Sequence, residues 1–332
     1  MPLRALLIAL ALVTALLGWG TVYLTSRFKD VKEAVEWIEP REFTGLTVVA
    51  VGTGIVYENP RRLGPATLVG AGPRAVLVDA GRGVAEALRS ARIPVPQPDT
   101  VFLTRLSPES TVGLDDLLLT GWMISREQPL RLVGPPGTRA LARGIEAAHA
   151  AGIAARAASH GLPRDGARFE VTEVDGDWQA SSGELAVRAA ALPGGPEPAL
   201  AYRFEAAGRS VVVGTAGWGV DALVALARGA DVLVEDAFWS ESMGRAIEEG
   251  ADEARLRSEA AWLTPLESVG AIAARAGVAT LVLTRLRPPP LYDFMFGRIV
   301  GESFDGRLVV AADGDEIVLR PAREASTASR AP

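Results

Sequence analysis

The chain is 332 residues long and 48% hydrophobic, with 35 glycines and 22 prolines, the composition of a globular protein built from many short elements and turns. A formal net charge of −6, with arginines scattered among carboxylates, offers no concentrated basic stripe, so no nucleic-acid partner is expected. The absence of cysteine and the presence of only two histidines, His149 and His160, exclude disulfides, thiolate metal sites, a cysteine nucleophile and a three-histidine metal site within one chain.

From Ala5 to Thr25 the run ALLIALALVTALLGWGTVYLT carries no charge. At about 1.5 Å per residue it would cover roughly 30 Å of hydrocarbon, and no small-x-small cleavage site follows it. A single-pass transmembrane anchor is therefore expected over 5–25, in preference to a cleaved signal peptide. Arg4 precedes the run while Arg27, Lys29 and Lys32 follow it, a distribution that by charge alone turns the domain toward the cytoplasm. Residues 28–42 have apolar positions at Val31, Ala34, Val35 and Ile38 and read either as a short connecting helix or as a solvated linker.

The globular part opens with short β-branched runs closed by glycine. Leu46 to Gly52, Ala66 to Gly70 and Ala75 to Gly81 read as strands. A helix is expected over Val84 to Ala91, a buried strand over Asp99 to Thr104 and a helix over Leu114 to Trp122. A further strand starts at Leu130 and stops at a Pro-Pro-Gly turn, followed by a helix through Ala150. The second half repeats the alternation. Strands are expected at Leu185 to Ala191, Ala199 to Phe204, Ser210 to Val213, Asp231 to Val234 and Thr280 to Leu283, with helices at Asp221 to Ala227 and Pro265 to Ala276. Arg307 to Leu319 reads as a hairpin on an Asp-Gly turn, and 321–332 as a disordered tail. Two similar halves that mix hairpins with helical crossovers indicate an α/β fold, an αββα sandwich over 46–320.

The order and wording of VGTGIVYENPRRLGPATLV, VLVDAG, VFLT…VGL, VGPPGT, ALAYRFEAAGRSVVVG, GADVLVEDAF and TLVLTRLRPPPLYDF resemble the metallo-β-lactamase superfamily, in its ribonuclease Z-like and arylsulfatase-like branch. The resemblance implies a cleft holding two zinc ions, through an HxHxDH loop and later ligands. Where that loop would read T-H-x-H-x-D-H, this chain has Thr104, Arg105, Leu106, Ser107, Pro108, Glu109 and Ser110. The later ligand positions fall on Gly194, Thr215 and Arg285, and Glu235 stands where the segment after GADVLV has histidine. No aligned ligand position keeps its family residue, so no cofactor is expected.

If the family geometry holds, Arg105 and Arg285 face Asp79, Glu109, Glu235 and Asp236 in the cleft. The arginines then either form internal ion pairs in place of metals or point to solvent. Tyr292, with Phe294 and Phe296, either lines a pocket beside the cleft or packs over the sandwich edge. His149 and His160 read as partly exposed, non-catalytic residues.

Three functions are consistent with the residues. The first is a membrane-anchored pseudo-hydrolase with a binding or regulatory role, whose partner is an unidentified protein or small anion. The second is a phosphodiester or ester hydrolase with a carboxylate-only metal site on Asp79, Glu109, Glu235 and Asp236. The third is a small-anion receptor using Arg105 and Arg285. The resemblance to exported family members with similar N-terminal helices favours an inner-membrane protein with its domain on the periplasmic side.

Overall fold

A computed structural model describes residues 2–55, 62–215, 217–287 and 293–322, the side chains of 2–11, 30–35, 259, 293 and 294 excepted. The chain divides into two compact units, 1–39 and 40–332. The first is the helix α1 (Pro2–Val35). Among the described residues no helix is long and apolar enough to cross a membrane. The expected transmembrane anchor is corrected on that ground, together with the membrane partner and the inner-membrane, periplasm-facing location that rested on it. The 28–42 region is also divided, because 28–35 continue α1 while 36–42 lie outside any element.

The second unit contains fourteen described strands in two sheets. In chain order they are β1 (Phe43–Gly52), β2 (Ala66–Gly72), β3 (Arg74–Val78), β4 (Thr100–Phe102), β5 (Leu130–Gly134), β6 (Phe169–Glu173), β7 (Trp178–Ser182), β8 (Leu185–Ala191), β9 (Leu200–Ala206), β10 (Arg209–Val213), β11 (Val232–Phe238), β12 (Thr280–Arg287), β13 (Arg307–Val310) and β14 (Asp315–Leu319). One sheet runs β14-β1-β2-β3-β4-β5-β6 and the other β13-β12-β11-β10-β9-β8-β7. The helices are α2 (Val84–Ser90), α3 (Pro108–Thr111), α4 (Leu114–Ile124), α5 (Thr138–His160), α6 (Val220–Ala227), α7 (Ser240–Glu248), α8 (Glu253–Ala260), α9 (Leu266–Ala276) and α10 (Asp293–Gly301).

The period of two in the strands makes this a four-layer sandwich. Along β1, Leu46, Val48 and Ala50 point into the core between the sheets, while Val49 and Val51 point to an outer core. The central core also holds Phe102, Tyr202 and Phe204, with ring centroids 5.1 and 5.4 Å from Phe102 to the other two. One outer core packs beneath α2 and α4 through Val84, Leu88, Leu114, Leu117 and Leu118. The other packs beneath α6 and α9 through Leu223, Leu266, Val269 and Ile272. Each such fully buried side chain contributes about 1.5–3 kcal/mol, so both faces of both sheets are held.

The expected terminal hairpin does not form. β13 lies parallel to β12, whereas β14 lies antiparallel to β1, so the two strands belong to different sheets. Asp313 at the intervening turn accepts hydrogen bonds from Thr53 N, Thr53 Oγ1 and Leu63 N, which tie the crossover to the first sheet. α5 continues past Ala150 to His160 and stops where Gly161 takes φ 67°, the left-handed helix end that glycine adopts without a Cβ clash. The tail from 323 onward lies outside the described residues, as does Tyr292, whereas Phe296 is buried in the core beneath α9.

Candidate active site

Several strands of both sheets leave their residues at one cleft. Asp79 follows β3, Thr104 and Arg105 follow β4, and Thr215 follows β10. Glu235 and Asp236 lie within β11, and Arg285 lies within β12. The apolar strands bury these polar residues at their ends, where the ladder stops and side chains turn toward one another. Arg105 is 1% exposed, Asp79 2% and Arg285 5%. At that depth an unpaired charge costs several kcal/mol, so the contacts they make decide what the cleft can do.

Arg285 donates from Nη1 to Asp79 Oδ2 at 3.0 Å and from Nη2 to the Gly214 carbonyl at 3.2 Å, and its Nε lies 3.9 Å from Asp236 Oδ2. Asp79 also accepts from Thr104 N at 2.8 Å and from Thr104 Oγ1. Both members of this ion pair have left-handed backbones, φ 62° at Asp79 and φ 50° at Arg285, a strain of the kind that collects at functional sites. Burial raises the Asp79 carboxyl above its ordinary pKa, against Arg285 and Thr104, which lower it. Burial lowers the Arg285 guanidinium, but Asp236, Asp79 and Glu235 together outweigh it and leave the group raised.

Glu235 is fully buried. Burial, with Asp236 beside it, pushes its carboxyl well above the usual range. Thr264 Oγ1 donates to Glu235 Oε1 at 3.2 Å, and Glu235 Oε2 lies where a Cβ on Gly214 would stand, 2.0 Å away. Glycine at 214 is what admits this carboxyl group.

Arg105 is held more loosely. Its Nη2 lies 3.6 Å from Glu109 Oε1 and 3.8 Å from Asp236 Oδ2, distances that give Coulomb attraction without hydrogen bonds. Nη1 donates to the Trp262 carbonyl at 3.3 Å, the guanidinium lies 6.0 Å from the Trp218 ring, and Nε has no hydrogen-bond partner among the described residues. Ser107 and Ser110 are buried with hydroxyls that likewise lack partners. Beside them a pocket of about 270 Å³ is lined by Ser107, Glu109, Trp262 and Arg287, among others.

Of the residues singled out from sequence, Asp79, Arg105, Glu109, Asp236 and Arg285 form one chain of charge contacts, with Glu235 and Thr215 against it. Gly194 sits on an exposed turn at φ 98° with open space around it and contributes no side chain. Sequence reasoning missed Glu197. Its Oε1 is buried without a partner, and its carboxyl is raised by burial while Arg105 lowers it and Glu109 and Asp79 raise it. Thr264 and Trp262 were missed as well, because short polar and aromatic residues beside apolar strands carry no spacing signal.

No family model matches the sequence. A protein named ribonuclease Z from Mycobacterium bovis is 30% identical over 284 residues, which is 84% of this chain and 100% of that protein. A ribonuclease Z from Mycobacterium sp. (strain KMS) is 34% identical over 247 residues, 74% of this chain and 85% of the relative. Among solved structures, the metallo-beta-lactamase fold protein YhfI from Bacillus subtilis superposes with a TM-score of 0.63 at 16% identity, covering 82% of this chain and 99% of that one. The short form of human tRNase Z gives 0.58 at 21%, covering 82% and 98%. Zn(2+)-bound PqqB from Methylobacterium extorquens gives 0.56 at 17%, covering 82% and 100%. These structures share the fold.

The comparisons correct three expectations. A non-catalytic pseudo-hydrolase and the absence of a nucleic-acid partner do not agree with relatives that carry the name of an RNA-cleaving enzyme along their whole length. The expectation of no cofactor is likewise corrected by those relatives. The donor set of this chain nevertheless does not fit two zinc ions. Among the described residues no group of three or more His, Cys, Asp or Glu side chains is placed to hold a metal. Guanidinium groups stand at 105 and 285, and Asp79 is already bonded to one of them.

Proposed function

The chain belongs to the ribonuclease Z family, and from that premise we propose that it hydrolyses phosphodiester bonds of RNA, of the kind found in tRNA precursors. It keeps the hydrolysis expected of a carboxylate-only metal site on Asp79, Glu109, Glu235 and Asp236 but not that site, because among the described residues no three such side chains are placed to hold a metal. What supports it is that Glu109 lines a pocket with the Arg105 guanidinium 3.6 Å from its carboxylate, and that the Arg105 charge also acts on Glu197.

Arg105 is 1% exposed, so its positive charge acts from behind the pocket wall, through Glu109, on negative charge that develops on a phosphate oxygen in the pocket. Glu109 lines the pocket and accepts the proton of an attacking water as its oxygen bonds to phosphorus. Glu197, whose raised pKa keeps it protonated further toward neutral pH, gives its proton to the leaving oxygen as the P–O bond breaks. Asp79 and Arg285 neutralise one another and keep the cleft walls in place.

The test is cleavage of a labelled tRNA precursor and of bis(p-nitrophenyl) phosphate by the purified chain, in chelator and in zinc-supplemented buffer. Cleavage above the enzyme-free rate is expected; no cleavage in either buffer overturns the reading.

A further inference from the structure

A second cavity, sharing no lining residue with the cleft pocket, lies between α4 and α5 and has a volume of about 510 Å³. That size falls in the range of small-molecule sites, roughly 300–1,000 Å³. We propose that it binds a small amphiphilic monoanion, a medium-chain carboxylate whose chain lies on Leu119, Met123 and Ile153 and whose carboxylate meets Arg156 and His160.

The lining is apolar along its floor, and its charged and ionisable members are His149, Arg156 and His160, with no acidic side chain among the lining residues. These three stand seven and eleven residues apart on α5, close to whole turns at about 3.6 residues each, and so share one face. Both histidines of the chain therefore border the same groove. His149 is occupied by Asp115, 3.4 Å away. The Arg156 guanidinium has no ion pair among the described residues, and His160 engages only Ser159, through Nδ1 at 2.7 Å. An anionic head group would find both free.

Gly152 supplies the space. A glycine inside a helix costs about 1 kcal/mol relative to alanine, and a Cβ at 152 would meet nothing within 4 Å, so no neighbour demands glycine there. The void it leaves is part of the groove. An apolar body with an anionic end matches this pattern, because the chain removes apolar surface from water while the head pairs with cations at the rim.

Isothermal titration of the full chain with decanoate, and with decanol as the uncharged comparison, tests the site. Saturable one-to-one decanoate binding is expected, with decanol at least tenfold weaker. Gly152→Leu should fold with an equal or higher Tm and lose at least tenfold in affinity. The double change Arg156→Gln, His160→Gln should bring decanoate down to the level of decanol. Decanoate binding unchanged by Gly152→Leu would place it elsewhere, on the apolar side chains of α1 for example, and overturn the proposal. So would equal binding of decanol, absence of saturable binding, or a shift by Gly152→Leu of a monomer–dimer equilibrium in place of decanoate affinity, which would make the groove a contact for a second copy. RNA cleavage plays no part in these outcomes.

Discussion

Arg285 Nη1 lies 3.0 Å from Asp79 Oδ2 across 206 positions of sequence, and the contact joins the end of β3 in one sheet to β12 in the other. Removing the guanidinium would leave Asp79 buried without the cation bonded to it and take away one of the two cations near Asp236. Arg285→Ala is therefore expected to lower stability by about 3–5 kcal/mol, measured by urea unfolding. A loss below 1 kcal/mol would show that the pair does not hold the two sheets at this end.

Glu235 gives a pH dependence whose sign follows from its burial. Its folded pKa is raised well above its ordinary 4.5, so it binds its proton more tightly folded than unfolded. The stability it lends is fully present below about 4.5 and is lost as pH rises through the folded value. Glu235→Gln should keep the Thr264 hydrogen bond, remove that loss and raise Tm by a few degrees at pH 8 while leaving it nearly unchanged at pH 4.5. Parallel Tm–pH curves for the two proteins would contradict this.

Arg126 is a buried arginine whose guanidinium donates to the carbonyls of Leu117, Leu118, Val95 and Pro98. Burial lowers its pKa to about 10, with Asp99 acting in the opposite direction. A Cβ on Gly121 would stand 2.3 Å from Arg126 Nη1. Gly121→Ala gains about 1 kcal/mol in helix propensity but forces this group from its carbonyls, for an expected net loss of about 1–2 kcal/mol. Thermal denaturation would detect it; a stabilised variant would refute the packing argument.

The sandwich was legible because its first strands are apolar runs closed by glycine, as at Leu46 to Gly52 and Ala66 to Gly70, and because the resemblance ordered the rest. The terminal hairpin was misread because an Asp-Gly turn specifies a local bend, whereas the sheet each strand joins depends on distant partners, β12 and β1. α7 and α8 escaped notice because they are short, and the apolar face of α7 at Met243, Ala246 and Ile247 spans too few turns to stand out, with no residue of the helix buried. In the cleft, the charged residues could be placed from strand ends, but the difference between the tight Arg285 contact and the loose Arg105 contacts is one of less than 1 Å. Arg126, between the expected helix ending at Trp122 and the strand starting at Leu130, gave no sign of burial.

Glu197 should appear in the pH–rate profile of RNA cleavage. As the proton donor it is active while protonated, so kcat/KM should fall as pH rises through its raised pKa. Glu197→Gln should cost about 10²–10⁴-fold and remove that alkaline limb. A profile that keeps the limb in the variant would assign it to another group.

Cleavage of a labelled tRNA precursor by the wild-type chain and by Arg105→Lys and Glu109→Gln, each in chelator and in zinc-supplemented buffer, tests the cleft assignment most directly. Cleavage by the wild type, with at least a tenfold fall in kcat/KM for both variants at unchanged Tm, is the predicted result. No cleavage by the wild type in either buffer, or equal rates in all three proteins, would contradict it.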